Sequence, residues 1–421
     1  MHFPSEIHTY SDPMTGRTVR QLTTFRGHSH HLYFTNPGWW DEGKRLLFGS
    51  DRRGRRNLFS LELDSGEITQ HTDSDMPGPP VESTFMDASI NPMRPECTFW
   101  RGMDLIAIDL STNRERRLWR CPDGFFPSNQ GFNSNGNLLY FGLLENLTHR
   151  IEMALLQGYV GFADYWEAQP LCRLMKFNME TGRAEILHEE KCWLGHINPS
   201  PTQPHLFTFC HEGPWDRVDH RIWVFDSNTG YKHPVCAPAP GQMVGHEYWL
   251  SDGLHIGYHG YDKVSESFVF GSVCHDDTGR RDIFSKISTG HTHSLDFSLV
   301  IGDGELDFEV PVIRIFPLDR DGDSAPRILC RHDSSFRTQQ MHPHPRISPD
   351  GKKVIFTSDR SSYGQVYEVE IGDWHDLPIL AETGRTVKRI HNEQIVTREE
   401  AHFIQAESSK EDPVLAVANG Y

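Results

Sequence analysis

The sequence predicts an all-β chain folded as a seven-bladed β-propeller with a short helical insertion. Three observations carry that prediction. One supersecondary unit recurs along the chain, its short strands are separated by Gly, Pro and Asp turns at regular spacing, and the opening segment reads as a strand missing from the last unit. Units of this kind cannot bury their faces alone and stack radially into propeller blades.

The clearest copies are "NPGWWDEGKRLLFGSDRRGRRNLFSLELDSGEITQHT" (36–72) and "ISPDGKKVIFTSDRSSYGQVYEVEIGD" (347–373), each running turn, apolar strand, Ser-Asp-Arg, strand. Weaker copies begin at "INPMRPECTFW" (90–100), "FNSNGNLLYFG" (132–142), "INPSPTQPHLFTF" (197–209), "YWLSDGLHIGYHG" (248–260) and "SLDFSLVIGDG" (294–304). "SDPMTGRTVRQLT" (11–23) matches the outer strand "DSGEITQHT" (64–72), so it is expected to complete the blade begun at the C-terminal end and close the ring. Residues 145–169 are the one stretch with helical spacing. A single propeller is thus expected over 1–395, with a loosely held tail at 396–421.

The bulk properties exclude several functions. A net charge of −17 over 421 residues argues against a nucleic-acid backbone as partner. No apolar run approaches the ~18 residues of a membrane span. The start "MHFPSEIHTY" has no basic segment followed by an apolar one, and the eight cysteines form no CxxC pair. The expectation is a cytoplasmic chain with free thiols. HExxH, GxSxG, P-loop and GxGxxG motifs are absent, and "DRDGDS" (319–324) departs from an EF-hand loop by placing Cys330 at its twelfth position.

Histidine marks the blade entrances. The first strand of a propeller blade lines the central channel, and five of the seven copies are preceded by histidine: "RGHSHH" (His28, His30, His31), "LGH" (His196), "GHE" (His246), "GHTH" (His291, His293) and "HPHP" (His342, His344). Equivalent positions in radially arranged blades converge on the axis. His342 and His344, two apart on an extended segment, point to the same side. With His291 and an oxygen from Gln339 they make an N3O set suited to a first-row divalent metal, ligand type alone leaving manganese, iron, nickel and zinc open. Asp303 and Asp359 are placed to orient ligand rings or to cap strand ends.

The segment "WLGHINPSPTQPHLFTFCHEGPWDRVDHRIW" (193–223), with "GHEYWLSDG" and "QQMHPHP", resembles the oligogalacturonate lyases, seven-bladed propellers of the polysaccharide lyase class. "LYF", "CRLMKFNMETG" and "VIGDG" extend the resemblance to about residue 385. It implies Mn²⁺ held by His291, Gln339, His342 and His344, a catalytic histidine at His246, a catalytic arginine at Arg221, and substrate contacts from His30 and His196. The implied substrate is a small acidic oligosaccharide such as digalacturonate, cleaved by β-elimination in pectin catabolism. One departure is that "GHTHSLDFSL" lacks the Asp-Gly turn and is one residue short, which leaves His291 and His293 as alternatives. A lyase or epimerase acting on another uronate, or a TolB-like binding propeller, are the competing readings.

Overall fold

The structure, a computed structural model, describes residues 1–74, 85–153, 160–304, 310–318 and 325–380. The expected tail and the 319–324 turn lie outside these. Among the described residues the strands form seven antiparallel sheets, each a meander from the channel outward. Blade 1 starts at Ser29–His31, blade 2 at Ser89–Ile90, blade 3 at Phe125–Phe132 and blade 4 at Leu194–Pro199. Blades 5, 6 and 7 start at Gln242–Trp249, Thr292–His293 and Arg346–Ile347.

The ring closes as expected. Thr18–Gln21 pairs with Gln365–Glu370 in register Val19 to Val369, and His8–Ser11 adds the outermost strand. Strands from both ends of the described chain thereby share one sheet, which leaves no open seam between the first and last blades.

The core lies between blades. Seven buried apolar clusters occupy the seven seams; Val354, Phe356 and Tyr367 of blade 7 meet Ile301 and Ile313 of blade 6, for example. Alternation within each strand supplies one set of side chains to each neighbour. All eight cysteines are free. No helix among the described residues is long and apolar enough to cross a membrane.

Two departures shape the site. The expected helical stretch 145–169 yields only Phe162–Glu167 among the described residues. Tyr165 and Phe162 pack on Trp193, while Trp166 lies so close to Gly213 that a Cβ there would meet its ring at 2.2 Å. The insertion therefore braces the loop after Gly213, helped by Arg217, which pairs with Glu167. Second, the inner strand of blade 1 is split into Ser29–His31 and Trp39–Trp40. The residues between leave the blade: Tyr33 and Phe34 are buried against the channel histidines, and Asn36 Nδ2 donates to the Ala88 and Gln130 carbonyls across the ring. These two rings thus cover one side of His196, His246, His291 and His344.

Candidate active site

The same local deformation recurs where the inner strands carry histidine. His196, His246 and His344 all have left-handed backbone, with φ of 52, 49 and 44°. In blades 4 and 5 this is a bulge, with register slipping between Gly195 and Asn198 and between Gly245 and Tyr248. A non-glycine residue there costs about 1–2 kcal/mol, and the bulge turns the side chain out of the strand's alternation. Here it aims three imidazoles at the axis.

Blades 6 and 7 supply a compact trio. Ligating atoms of His291, His342 and His344 lie within 4.8 Å of one another, all buried. His291 Nδ1 is 2.7 Å from Asp303 Oδ2, whose other oxygen accepts from the Gly290 and His291 main-chain nitrogens. That contact sets the tautomer and leaves Nε2 as the lone-pair nitrogen. Burial alone would push the Asp303 carboxyl up; His291 more than offsets this and holds it well below the usual carboxylate range. His342 Nδ1 and His344 Nε2 are buried without a hydrogen-bond partner, a costly state for a polar nitrogen in an apolar surround. Burial, reinforced by neighbouring imidazoles, keeps both rings neutral. Three buried imidazoles with converging nitrogens, those of His342 Nδ1 and His344 Nε2 without a hydrogen-bond partner, fit a first-row divalent cation. Gln339 opens the 3-10 turn Gln339–Met341 that leads directly into His342.

The alternative ligand His293 is excluded from this trio. Its ring lies against Tyr248, centroids 5.3 Å apart, and its Nδ1 accepts from the Ile347 main chain. His30 lies in the first strand of blade 1, Ser29–His31. It is buried, with Nδ1 on the His31 carbonyl and Nε2 pressed against Gly49, where a Cβ would come within 2.6 Å. Phe85 approaches the same face of Gly49, and the neighbouring His31 holds the Pro343 carbonyl, next to His344. Asp359 accepts from Ser334 and Ser335 and ties down the segment leading to the histidine pair, without touching a ligand ring.

Beside the trio, His246 stacks on His291 with ring centroids 4.8 Å apart and planes 17° apart. Its Nδ1 is 2.7 Å from His259 Nε2 and 3.1 Å from the Gly290 carbonyl. A carbonyl only accepts, so Nδ1 carries the proton and Nε2 keeps its lone pair. Burial, then the charges of His291, His259 and His196, hold His246 well below its ordinary pKa, so the ring is neutral at neutral pH.

Arg221 makes a two-pronged pair with Glu212, Nη1 to Oε1 at 2.6 Å and Nη2 to Oε2 at 3.1 Å, under the ring of Trp215. Burial would raise Glu212, but Arg221 and His196 bring it to about 2. His196 stands between two carboxyl groups, Nε2 3.3 Å from Glu212 and Nδ1 3.6 Å from Glu247. Burial raises Glu247 to about 7, and neither of its oxygens has a hydrogen-bond partner. His196, Cys210 and Glu212 also group within metal-ligand distance, but Arg221 already neutralises that carboxylate. Glu212, Glu247, His259 and the Tyr33–Phe34 rings were not expected from sequence. "HEGP" and "GHE" contained the two glutamates, and only the bulge geometry brings both to His196.

Comparison with known proteins decides the family. A family profile described as oligogalacturonate lyase matches residues 2–374. The chain belongs to the oligogalacturonate lyase family. It is 27% identical over 391 residues to the oligogalacturonide lyase of Pectobacterium atrosepticum, covering 88% of this chain and 97% of that one. It is 26% identical over 386 residues to the oligogalacturonate lyase of Dickeya dadantii, covering 87% and 96%. A solved oligogalacturonate lyase in complex with manganese superposes with a TM-score of 0.80 at 27% identity, covering 90% of this chain and 98% of that one. The oligogalacturonate lyase of Vibrio parahaemolyticus gives 0.79 at 25% identity, covering 89% and 98%. This family of enzymes therefore shares the seven-bladed ring, and the matched span contains every residue of the pocket.

Proposed function

We propose that the protein cleaves short 4-linked galacturonate oligomers, digalacturonate above all, by manganese-assisted β-elimination in the cytoplasm, as a step in pectin breakdown. The observation that carries this reading is the placement of a neutral, lone-pair-bearing His246 directly against the His291–His342–His344 trio.

The reaction must remove a C5 proton that is weakly acidic because its neighbour is a carboxylate. A divalent cation held by the trio, with Gln339, supplies the positive charge that neutralises that carboxylate. His246 Nε2 takes the C5 proton; an imidazole is suited to this near neutral pH. His259 and the Gly290 carbonyl hold its tautomer. The Arg221–Glu212 pair, capped by Trp215, shapes the wall beside His246 and keeps a fixed dipole there. Tyr33 and Phe34 cover one side of the channel histidines, which helps displace water from the reacting carbons. Confining positive charge to one pocket also lets an acidic protein accept a diuronate, while a long polyanion is repelled by the rest of the surface.

The test is the ultraviolet absorbance of the conjugated unsaturated uronate, followed on digalacturonate with and without added Mn²⁺. The panel includes trigalacturonate and dimers of glucuronate and guluronate. The expected result is metal-dependent product from the galacturonate substrates. Preference for another uronate dimer would reassign the sugar, and no product from any substrate would remove the lyase reading.

A further inference from the structure

Elimination needs a proton for the departing O4 as well as a base for C5, and the pocket offers an acid for it. We infer that His196 protonates O4 and that Glu247, behind it, supplies the replacement proton. This inference rests on the lyase reading above.

Geometry singles out this pair. Glu247 is fully buried, and its Oε1 faces His196 Nδ1 at 3.6 Å; that nitrogen and both carboxyl oxygens lack any hydrogen-bond partner. The opposite nitrogen of His196 lies 3.3 Å from Glu212. The His196 ring keeps 13% of its surface exposed, and it lies parallel to His246, planes 7° apart and centroids 6.0 Å apart. O4 and C5 are two bonds apart in one sugar ring, so an acid and a base serving them must stand close together.

The neighbouring groups hold their protons too firmly. Burial would lower Arg221, but Glu212 drives it further above its ordinary value. Burial raises the Cys210 thiol well above its own. Glu247, at about 7, keeps a transferable proton near neutrality.

The step balances. His246 Nε2 takes the C5 proton, the C5–H electron pair becomes the new C4=C5 double bond, and the C4–O4 bond breaks. O4 takes the Nε2 proton of His196 while the Glu247 proton passes to Nδ1. The His246 proton then passes through solvent to His196 Nε2 while the Nδ1 proton returns to Glu247, which restores the resting site with no water or redox partner consumed.

The experiment varies the leaving group. Wild type, His196→Gln, Glu247→Gln and His246→Gln, each loaded with Mn²⁺, are assayed on digalacturonate and on a galacturonate bearing a dinitrophenyl ether at O4. Dinitrophenolate departs without protonation. His196→Gln is expected to lose about 10²–10⁴-fold in kcat/KM on digalacturonate but under about tenfold on the dinitrophenyl ether. Glu247→Gln, nearly isosteric and so safe against misfolding, should show the same selectivity, while His246→Gln loses on both substrates. Equal losses on both substrates for His196→Gln and Glu247→Gln, or no loss, overturn the inference and leave the lyase reading standing. Wild type inactive on both substrates overturns both.

Discussion

Gly245→Ala is the sharpest probe of the pocket wall, because the change is one methyl group on a residue that touches no substrate. Gly245 has no left-handed backbone, so alanine adds no conformational strain at that position. Its Cβ would stand 2.6 Å from Arg221 Nε, 2.8 Å from Cδ and 2.9 Å from Trp215 Cζ2. Ordinary contact begins at 3.4 Å, so the arginine must retreat by about 0.8 Å. It has little freedom to do so: Glu212 grips both terminal nitrogens and Trp215 covers the guanidinium.

Overpacking of this kind costs about 1–3 kcal/mol, a small change in melting temperature for a chain this size. Displacing the wall beside His246 by nearly an ångström is expected to cost about 10²-fold in kcat. Steady-state rates on digalacturonate, melting temperature and bound manganese are measured together. The expected outcome is a melting temperature within a few degrees of wild type, unchanged metal content and a loss in kcat. A variant with wild-type kcat would refute the claim that the Arg221–Glu212–Trp215 packing positions the reacting groups.

Other consequences follow from the same contacts. His246→Gln should lower kcat by about 10²–10⁴ while metal content stays normal, since the ring stacks on the trio without joining it; loss of metal along with activity would make it a ligand. His344→Ala should lose both metal and activity, and Asp303→Asn, which releases the His291 tautomer, should weaken metal affinity by about 10–100-fold in equilibrium dialysis. Stability should fall in mild acid. Burial lowers His71 from 6.5 to about 4 between Ser60 and Asn113, so the unfolded chain binds its proton first. The contribution is complete above pH 6.5 and is lost as pH falls toward 4, up to about 3 kcal/mol. His71→Asn should flatten the melting-temperature profile over that interval, and an unchanged slope would place the acid sensitivity elsewhere.

The ring was legible because a propeller repeats its chemistry. "SPDGKKVIF" and "DEGKRLLF" carry the same turn and strand, and the strand lent by the first residues matched its counterparts in sequence. His291, His342, His344 and His246 were legible for a related reason: equivalent positions in successive blades meet at the axis. What escaped notice was whatever broke the repeat. His30 occupies an entrance without the left-handed backbone of His196, His246 and His344. Tyr33 and Phe34 follow the blade 1 strand directly in sequence, yet that strand breaks and both rings pack on the channel histidines. Glu212 and Arg221 are nine residues apart in sequence, and their pairing depends on a loop held by Trp166 of the distant insertion.

The three left-handed histidines explain how a repeat becomes an active site. In an unbulged blade the inner strand alternates between two seams, and its side chains are spent on packing. One bulge redirects one residue per blade toward the axis, at about 1–2 kcal/mol each. His196 and His246 bear that cost in the bulges of blades 4 and 5, and His344 takes the same left-handed backbone just before the first strand of blade 7. The slip also displaces the next residue. Glu247, one position beyond His246, lands fully buried beside His196. His246 and Glu247, the proposed base and proton source, therefore share one structural cause. Restoring regular pairing in a single blade should remove its group from the pocket and leave the ring intact.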